Sequence, residues 1–178
     1  MMTFQENIIE TERLILRPLT YAQLVKYTQA DNSLEIELDL NETSRTISHE
    51  LREALETTIL PNVADPGRNY LYSTLWTAIL KEENKMIGDL CFYGEPNASG
   101  EIEIGYGTYD EFRNKGFMTE AVGGMIKWVE SNSGVASIVA STEKGNIASF
   151  IVLERNNFIN IGENETMFHW RLTINTKK

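Results

Sequence analysis

The amino-acid sequence predicts an α+β fold with a mixed, mostly antiparallel sheet of about six to seven strands flanked by helices. Three observations support this fold class. A strand-like run near the start is followed by two helical segments. Three consecutive strand-like runs, joined by polar turns, then predict an antiparallel meander. The remainder alternates helix, strand, helix, strand and strand, so only its two helices resemble strand–helix–strand crossovers.

The N-terminal part of the chain is predicted to form one strand and two helices. In the run "ERLILRPL", Leu14 and Leu16 alternate with Ile15 and Arg17, and the run stops at Pro18; this pattern predicts a strand. "TYAQLVKYTQA" predicts a short helix with Thr20 as its N-cap, and "HELREALETTIL" carries a helical apolar stripe. Pro61, Pro66 and Gly67 follow and predict a loop.

The C-terminal part contributes the remaining strands and two longer helices. "YSTLWTAIL", "MIGDLCFYG" and "EIEIGYGTY" form the meander, with turns at "KEENK" and "GEPNASGE". A helix over "TEAVGGMIKWVE" leads to the strand "VASIVAST". Asn146 then opens the helix "IASFIVLERN", and "FINIGE" and "TMFHWRLTI" are the last two strands.

Length and composition indicate an ordinary cytoplasmic protein. The 178 residues are expected to form a single domain over residues 1–178. No stretch approaches the roughly 18 apolar residues of a membrane span, and "MMTFQENIIE" lacks the basic and apolar parts of a signal peptide. The single cysteine, Cys91, cannot form an internal disulfide and is expected to be buried in a strand.

The charge of the chain restricts its partners. A formal net charge of -10 argues against a nucleic-acid surface, which needs clustered cations. Between Asp31 and Glu56 lie eight carboxylates and only two arginines, Arg45 and Arg52. This segment is either a solvated helix face or a rim that attracts cationic amine substrates.

The stretch "DEFRNKGFMTEAV" lies where the central strand passes into a helix. Unpaired N–H groups and the helix dipole favour an anion at a helix N-terminus. Gly116 has no β-carbon, so a ligand could approach the backbone closely, and Arg113 and Lys115 add positive charge. These features fit an anion site, and equally a plain helix N-terminus with surface cations.

Two nucleotide-binding patterns do not fit this stretch. The P-loop pattern G-x-x-x-x-G-K-[ST] fails because Lys115 precedes Gly116. The dinucleotide pattern G-x-G-x-x-G begins at Gly105 and Gly107 but meets Asp110 in place of its third glycine. Neither nucleotide fold is therefore expected.

A third pattern fits better. The hexapeptide "RNKGFM" resembles motif A of the GNAT superfamily of acetyl-CoA-dependent N-acetyltransferases, [QR]-x-x-G-x-[GA]. Arg113 and Gly116 match, whereas Met118 stands where glycine or alanine is usual and its side chain must find room. "TERLILRPLT", "IEIGYGTYDEFRNKGFMTEAV" and "NIASFIVLERNNF" extend the resemblance to the branch of ribosomal-protein N-terminal (Rim-type) acetyltransferases. In the last of these, Asn157 replaces a glycine, and Asn is the next-best residue for a left-handed helix end.

This resemblance implies a single GNAT-like domain whose sheet is splayed at a CoA cleft. It implies transfer of an acetyl group from acetyl-CoA, the co-substrate, to a primary amine by direct attack on the thioester, without a metal. The acceptor would be a protein N-terminus or a small cationic amine. The alternatives are a non-catalytic acyl-CoA-binding sensor or interaction module, or a protein that binds no CoA. No nucleic-acid or membrane partner is expected, and a homodimer is one option.

The resemblance also implies which residues bind acetyl-CoA. Backbone N–H groups of the loop and first helical turn would hold the pyrophosphate, and the strand end would align the pantetheine arm. Asn146 would both cap its helix and contact that arm. The residues implied for cofactor binding are Tyr106, Gly107, Thr108, Arg113, Asn114, Lys115, Gly116, Phe117, Met118, Thr119 and Asn146.

Two residues are predicted to be catalytic. Strand alternation places Glu103 and Gly105 on one face, and Glu103 is the candidate base, although an exposed strand acid would have the same pattern. His169 is a second candidate base or a structural histidine, whereas His49 is expected to face solvent. By resemblance, Ser149 would protonate the departing thiolate, with Tyr106 as the weaker alternative.

Overall fold

An eight-stranded sheet forms the centre of the computed structural model, which describes residues 7–132 and 134–175. Its strands are β1 Ile9–Glu10, β2 Leu14–Pro18, β3 Leu75–Leu80, β4 Lys85–Phe92, β5 Glu101–Thr108, β6 Ser137–Glu143, β7 Ile159–Glu163 and β8 Met167–Thr173. Their spatial order is β1-β2-β3-β4-β5-β6-β8-β7. The β5–β6 pair is parallel and the other pairs are antiparallel. The predicted mixed, mostly antiparallel sheet is confirmed, with slightly more strands than expected.

Helices cover both faces of this sheet. They are α1 Tyr21–Gln29, α2 Ser33–Glu37, α3 His49–Ala54, α4 Leu60–Ala64, α5 Phe117–Glu130 and α6 Ile147–Arg155. Side chains of α1 and α2 share one buried cluster with Leu75, Ile79 and Met86 of the sheet. Side chains of α5 and α6 share a second cluster with the opposite face, including Trp76 and Leu90. The sheet therefore separates two apolar layers, as strand alternation requires.

Strand alternation assigns β5 as the sequence predicts. Ile102 and Ile104 are 2% exposed and pack on the side of α5, whereas Glu103 and Gly105 point to the other side and are only partly buried. On β4, Cys91 pairs with Gly105 and is partly buried rather than fully buried as expected. Burial raises the pKa of the Cys91 thiol to about 12.

Two helix-end predictions are confirmed. Thr20 caps α1: its hydroxyl accepts the Gln23 N–H at 3.3 Å, and the Gln23 side chain accepts the Thr20 N–H at 3.0 Å. Beyond α6, Asn157 has a left-handed φ of 65°, and the Phe158 N–H returns to the Leu153 carbonyl at 3.0 Å. Asparagine therefore does at this position what a glycine usually does.

The predicted loop at Pro61 is wrong, because the helical path continues to Ala64. Proline has no N–H to donate to the preceding turn. The segment Leu55–Ile59 is a π-turn, and the Leu60 N–H bonds to the Leu55 carbonyl five residues earlier. Through this wider turn the helix continues past Leu60, and Pro61 becomes one of the first residues of α4. β1 and α2, with two and five residues, are too short for a periodicity argument to find.

The acidic segment between Asp31 and Glu56 is not one solvated helix face. Glu35 is 0% exposed and forms an ion pair with the equally buried Arg45 guanidinium. Arg45 also lies 4.8 Å from the ring centre of Tyr27. One of the eight acids is thus part of the interior, since a buried carboxylate needs a charged partner.

Glu120 ties the first strands to α5. Its carboxylate accepts hydrogen bonds from the Thr11 hydroxyl at 2.5 Å, the Arg13 N–H at 2.7 Å and the Arg13 Nε at 2.6 Å. Burial alone would raise the pKa of the Glu120 carboxyl, but these donors lower it. The stretches "TER" and "TEA" therefore meet in space, which links β1, β2 and α5.

Replacing Glu120 with alanine is expected to lower the free energy of unfolding at pH 7 by about 1–3 kcal/mol, because three donors lose their acceptor. Since the folded-state pKa is lowered, this contribution is complete above the usual glutamate pKa. It is lost as the pH falls through the folded value, so the two proteins should converge in acid. Urea unfolding measures the difference. Glu130→Ala, at the exposed end of the same helix, is the control and should change stability by less than about 0.5 kcal/mol. Equal stability of Glu120→Ala and wild type would contradict this role.

Candidate active site

The parallel strands β5 and β6 separate part-way along their length. The ladder joins Glu101–Glu103 to Ser137–Val139, although β5 continues to Thr108 and β6 to Glu143. Beyond this point β5 pairs only with β4 among the described strands. The free edge of β5 therefore offers backbone N–H and C=O groups to a ligand. The predicted splay of the sheet is confirmed, and it opens beside Tyr106, Gly107 and Thr108.

The loop that follows β5 has the backbone of an anion site. Asn114 and Gly116 have left-handed φ angles of 62° and 77°. Two left-handed residues this close together bend the backbone sharply just before α5, where the first N–H groups of the helix are exposed to a ligand. Gly116 is the N-cap of α5 and has no side chain with which to cap it. The N–H groups of Phe117–Thr119 therefore lack intrahelical acceptors, and the helix dipole adds partial positive charge.

The two cations of the loop have local partners. The Arg113 guanidinium lies 3.0 Å from Asp110 and donates from Nε to the Thr108 carbonyl at 3.3 Å. The Lys115 ammonium lies 5.5 Å from the ring centre of Phe112. Both side chains are exposed. They raise the local potential while remaining available to an incoming phosphate.

Arg13 is a third cation at this loop, and the sequence patterns do not identify it as such. Its Nη1 donates to the Lys115 carbonyl at 3.1 Å, and its guanidinium lies 4.6 Å from the ring centre of Phe117. Glu120 holds the other side of the same guanidinium. Arg13 is visible in "TERLILRPLT", but nothing in that stretch indicates a role at the loop, because its partner Lys115 lies more than a hundred residues away in the chain.

Met118 finds its room beside a glycine of β4. Its side chain is 6% exposed and belongs to the core under α5. A β-carbon placed on Gly88 would lie 2.5 Å from the Gly107 carbonyl oxygen and 3.1 Å from the Met118 methyl carbon. The bare backbone of Gly88 therefore accommodates the bulky residue, and the Met118 N–H stays in the first turn of α5.

Glu103 lies at the point where β5 and β6 separate. Its side chain is partly buried, on the sheet face that α1–α4 cover. Burial raises the pKa of the Glu103 carboxyl, the neighbouring Glu101 raises it further, and His169 opposes the shift. A carboxyl with a raised pKa is better matched to accepting a proton near neutral pH.

A cleft of about 230 Å³ opens beside Glu103. Its lining includes Glu95, Glu101 and Tyr93. Glu101 forms an ion pair with Arg171 at 2.6 Å, and the Glu95 carboxylate accepts the Asn69 N–H at 2.8 Å. A larger cavity of about 580 Å³ lies between β1 and α5, and none of the predicted site residues lines it.

Tyr93 is a second residue that sequence reasoning misses. Its N–H donates to the Glu103 carbonyl at 3.0 Å, which extends β4 alongside Glu103. Its phenol ring lies over Gly105, and a β-carbon at Gly105 would collide with the hydroxyl. Although the residue is 67% exposed, partial desolvation of its phenol against β5, together with Cys91 and Glu103, raises the pKa of Tyr93 to about 12. The side chain is thus a neutral hydroxyl group on the face of β5, over Gly105.

On the other sheet face, Tyr106 connects β5 to α6. Its hydroxyl donates to the Ser149 carbonyl at 3.0 Å, and burial raises the pKa of the phenol. The Asn146 side chain accepts the Ser149 N–H at 3.2 Å, which confirms Asn146 as the N-cap of α6. Ser149 itself is partly buried. The candidate base and the candidate acid therefore lie on opposite faces, with the free edge of β5 between them.

The two histidines differ in their surroundings. His169 lies on β8 opposite Ser141, and its Nδ1 is 3.1 Å from the Ser141 hydroxyl. His49 is exposed at the start of α3, as expected. Among residues 7–132 and 134–175, no three His, Cys, Asp or Glu side chains are grouped so that they could hold a metal ion. No helix within those residues is long and apolar enough to cross a bilayer.

Comparison with known proteins gives consistent results. A family model described as an acetyltransferase (GNAT) domain matches residues 13–159. The chain is 28% identical over 163 residues to "Uncharacterized N-acetyltransferase YjdG" of Bacillus subtilis (strain 168). That alignment covers 92% of this chain and 96% of the relative.

Solved structures share the fold. The ribosomal-protein-S5-alanine acetyltransferase of Vibrio fischeri has a TM-score of 0.68 at 20% identity and covers 96% of this chain and 98% of its own. RimL, a ribosomal L7/L12 α-N-protein acetyltransferase, in complex with coenzyme A has a TM-score of 0.68 at 19% identity, over 96% and 100% of the two chains. The acetyltransferase MccE with acetyl-CoA and AMP has a TM-score of 0.64 at 14% identity, over 92% and 94%. With a family match across most of its length, the chain belongs to the GNAT family of acetyl-CoA-dependent N-acetyltransferases.

Proposed function

We propose that this protein transfers the acetyl group of acetyl-CoA to a primary amine, either a protein N-terminus or a small cationic amine. The observation that carries this proposal is the gap between β5 and β6, which leads directly to the uncapped N-terminus of α5. The gap has a free strand edge for an extended arm, and the loop has unpaired N–H groups for an anion. Acetyl-CoA combines these two features in one molecule.

The loop and helix start would hold the pyrophosphate. Backbone N–H groups from Arg113 to Thr119 would donate, while Arg113 and Lys115 would attract the phosphates within an acidic protein. The pantetheine arm would lie along Tyr106–Thr108, with Asn146 on its other side. A β5 backbone N–H at the open edge would stabilise negative charge that develops on the thioester oxygen.

The reaction would use one group from each face of the sheet. The amine nitrogen attacks the thioester carbon, so the N–C bond forms as the C–S bond breaks. Glu103 takes the proton that the amine loses, directly or through water, because an ammonium cannot attack. The Ser149 hydroxyl gives a proton to the departing sulfur, with Tyr106 as the alternative donor.

The cleft beside Glu103 supports a cationic acceptor. Three carboxylates, from Glu95, Glu101 and Glu103, line a space of about 230 Å³ on the base side of the gap, and of these Glu101 is already paired with Arg171. Tyr93 adds an aromatic face, which attracts cations. An amine that carries a second positive charge, or a basic peptide N-terminus, would therefore be preferred over a neutral one.

The first test combines binding with turnover. Coenzyme A at a hundredfold excess over its Kd should stabilise the folded protein by about 2.7 kcal/mol. Mixing acetyl-CoA with a panel of neutral, dicationic and peptide amines should release free thiol, fastest with cationic acceptors. CoA binding without turnover on any amine would favour the non-catalytic binding module. No thermal shift with CoA would contradict the whole proposal.

Glu103→Gln should lower kcat/KM for the amine by about 10²–10⁴-fold, the usual contribution of a general base. Wild-type activity should fall as Glu103 becomes protonated in acid. Because the pKa of Glu103 is raised, the midpoint of this loss should lie at a pH above the ordinary glutamate pKa of roughly 4.3. The variant should lose this acid limb. Glu130→Gln, an exposed change on α5, is the control. If the Glu103→Gln variant keeps the wild-type pH profile, Glu103 is not the base, and His169 is the next residue to test.

Ser149→Ala should lower kcat by about 10²-fold, the lower end of what a positioned proton donor contributes. The change leaves the Ser149 carbonyl in place, so the Tyr106 hydrogen bond survives and KM for acetyl-CoA should change little. Steady-state kinetics of thiol release separate the two parameters. If Ser149→Ala retains wild-type kcat and Tyr106→Phe does not, the acid is Tyr106.

A further inference from the structure

A buried carboxylate on β4 lies next to the start of the proposed pyrophosphate-binding segment Arg113–Thr119, called the CoA loop below, and has no part in the chemistry proposed above. Asp89 is 9% exposed and pairs with Gly107 at the end of β5. Its Oδ2 accepts the Tyr27 hydroxyl at 2.6 Å and the Tyr109 hydroxyl at 2.9 Å. Its Oδ1 has no hydrogen-bond partner among the described residues. Burying a carboxylate that is only partly hydrogen-bonded costs stability.

One of its two donors starts the CoA loop. Tyr109 follows β5 directly, and its N–H donates to the Ile87 carbonyl at 2.9 Å. It is also the N-cap of the short turn Asp110–Phe112, which leads to Arg113. The backbone and the side chain of Tyr109 are therefore both bound to β4, so the direction in which the loop leaves the sheet is determined on β4.

The other donor comes from the opposite layer. Tyr27 lies on α1 and is 1% exposed. The Arg45 guanidinium stacks on its ring and donates to its carbonyl at 3.4 Å, and Arg45 is paired with Glu35 of α2. Asp89 thus joins α1 and α2 to the residue from which the CoA loop departs.

The protonation states suit this connection. Burial raises the pKa of Asp89 to about 6, while the hydroxyls of Tyr27 and Tyr109 and the Arg45 charge oppose the shift. Burial and the Asp89 charge raise the pKa of both phenols. At neutral pH a carboxylate thus accepts from two neutral hydroxyls, which is a strong, charge-assisted arrangement.

We propose that Asp89 is a positioning residue for the binding of acetyl-CoA. Asp89 orients the CoA loop through its hydrogen bond with Tyr109, and its hydrogen bond with Tyr27 makes CoA affinity depend on α1. The inference rests on the proposed assignment of Arg113–Thr119 as the pyrophosphate site. It adds that a residue of the α1–α4 layer, outside the loop, controls cofactor binding.

Calorimetric titration with CoA, together with kcat and KM for acetyl-CoA, tests this inference on the full chain. Tyr109→Phe should weaken CoA binding by about 3- to 10-fold, because only part of what a hydrogen bond to a charged group contributes to the fold is transmitted to the loop. It should leave kcat at saturating acetyl-CoA within about twofold, because the reacting groups are untouched. Tyr27→Phe should also weaken CoA binding, by about 2- to 5-fold.

A double variant provides the decisive comparison. If Tyr27 acts on the loop only through Asp89 and Tyr109, Tyr27→Phe should cause no further weakening in a Tyr109→Phe background. Tyr21→Phe, half-exposed on the same helix, is the matched control and should leave the Kd unchanged. Melting curves establish that each variant is folded at the assay temperature. If Tyr109→Phe does not fold, Tyr27→Phe alone decides.

Two results would overturn the inference. One is that Tyr109→Phe and Tyr27→Phe lower the melting temperature but leave the Kd for CoA unchanged. Asp89 and the two tyrosines would then stabilise the fold without affecting CoA binding. The other is equal weakening by Tyr27→Phe in both backgrounds. Failure of the wild-type protein to bind CoA would instead contradict the proposed function itself, so the two failures are distinguishable.

Discussion

The separation of β5 from β6 after the Glu103–Val139 pair is the constraint on which the rest of the structure depends. A strand with one free edge must be held firmly along its other edge, and β4 does this through a continuous antiparallel ladder as far as Thr108. That close pairing explains Gly88, whose missing β-carbon leaves space for the Gly107 carbonyl. The parallel connection to β6 requires a crossover helix, and α5 therefore begins at the end of β5 where the gap is open.

The free edge also lies between the two groups of residues to which we assign the proposed chemistry, one on each face of the sheet. Glu103, Tyr93 and the acidic cleft belong to the face under α1–α4, whereas Tyr106, Ser149 and Asn146 belong to the face under α5 and α6. A thioester placed along β5 would meet an amine from one side and a proton donor from the other. Neither substrate would have to pass the other, which suits direct transfer within a ternary complex. The net charge of -10 is compatible with an anionic co-substrate, because three cations, Arg13, Arg113 and Lys115, lie at the loop before α5.

Much of this arrangement could be predicted from the sequence because its signals are local. Periodicity located the central strands, and the caps Thr20, Asn146 and Asn157 are where residue chemistry places them. Most of the misses have one physical cause, which is that the partner lies in another element and is brought close only by the fold. Glu35 resembles any surface acid until Arg45 folds onto it. Arg13 acquires its place from Glu120, and Tyr93 from the bare backbone of Gly105. Pro61 was misjudged for a different reason: a π-turn absorbs its missing donor, and no residue pattern marks such a turn.

Met118 departs from the family motif, and its packing gives that departure a consequence. The space above Gly88 exists whatever residue follows Phe117, because the Gly107 carbonyl already excludes a side chain at Gly88. A glycine or alanine at position 118 would match the motif better, yet it would leave a void beneath the first turn of α5. Such voids in a packed interior cost about 2–5 kcal/mol for a methionine truncated to alanine. In this chain, conformity with the consensus and integrity of the cofactor loop are opposed. Which residue suits the last position of the motif therefore depends on the strand beneath the loop, here on Gly88 of β4.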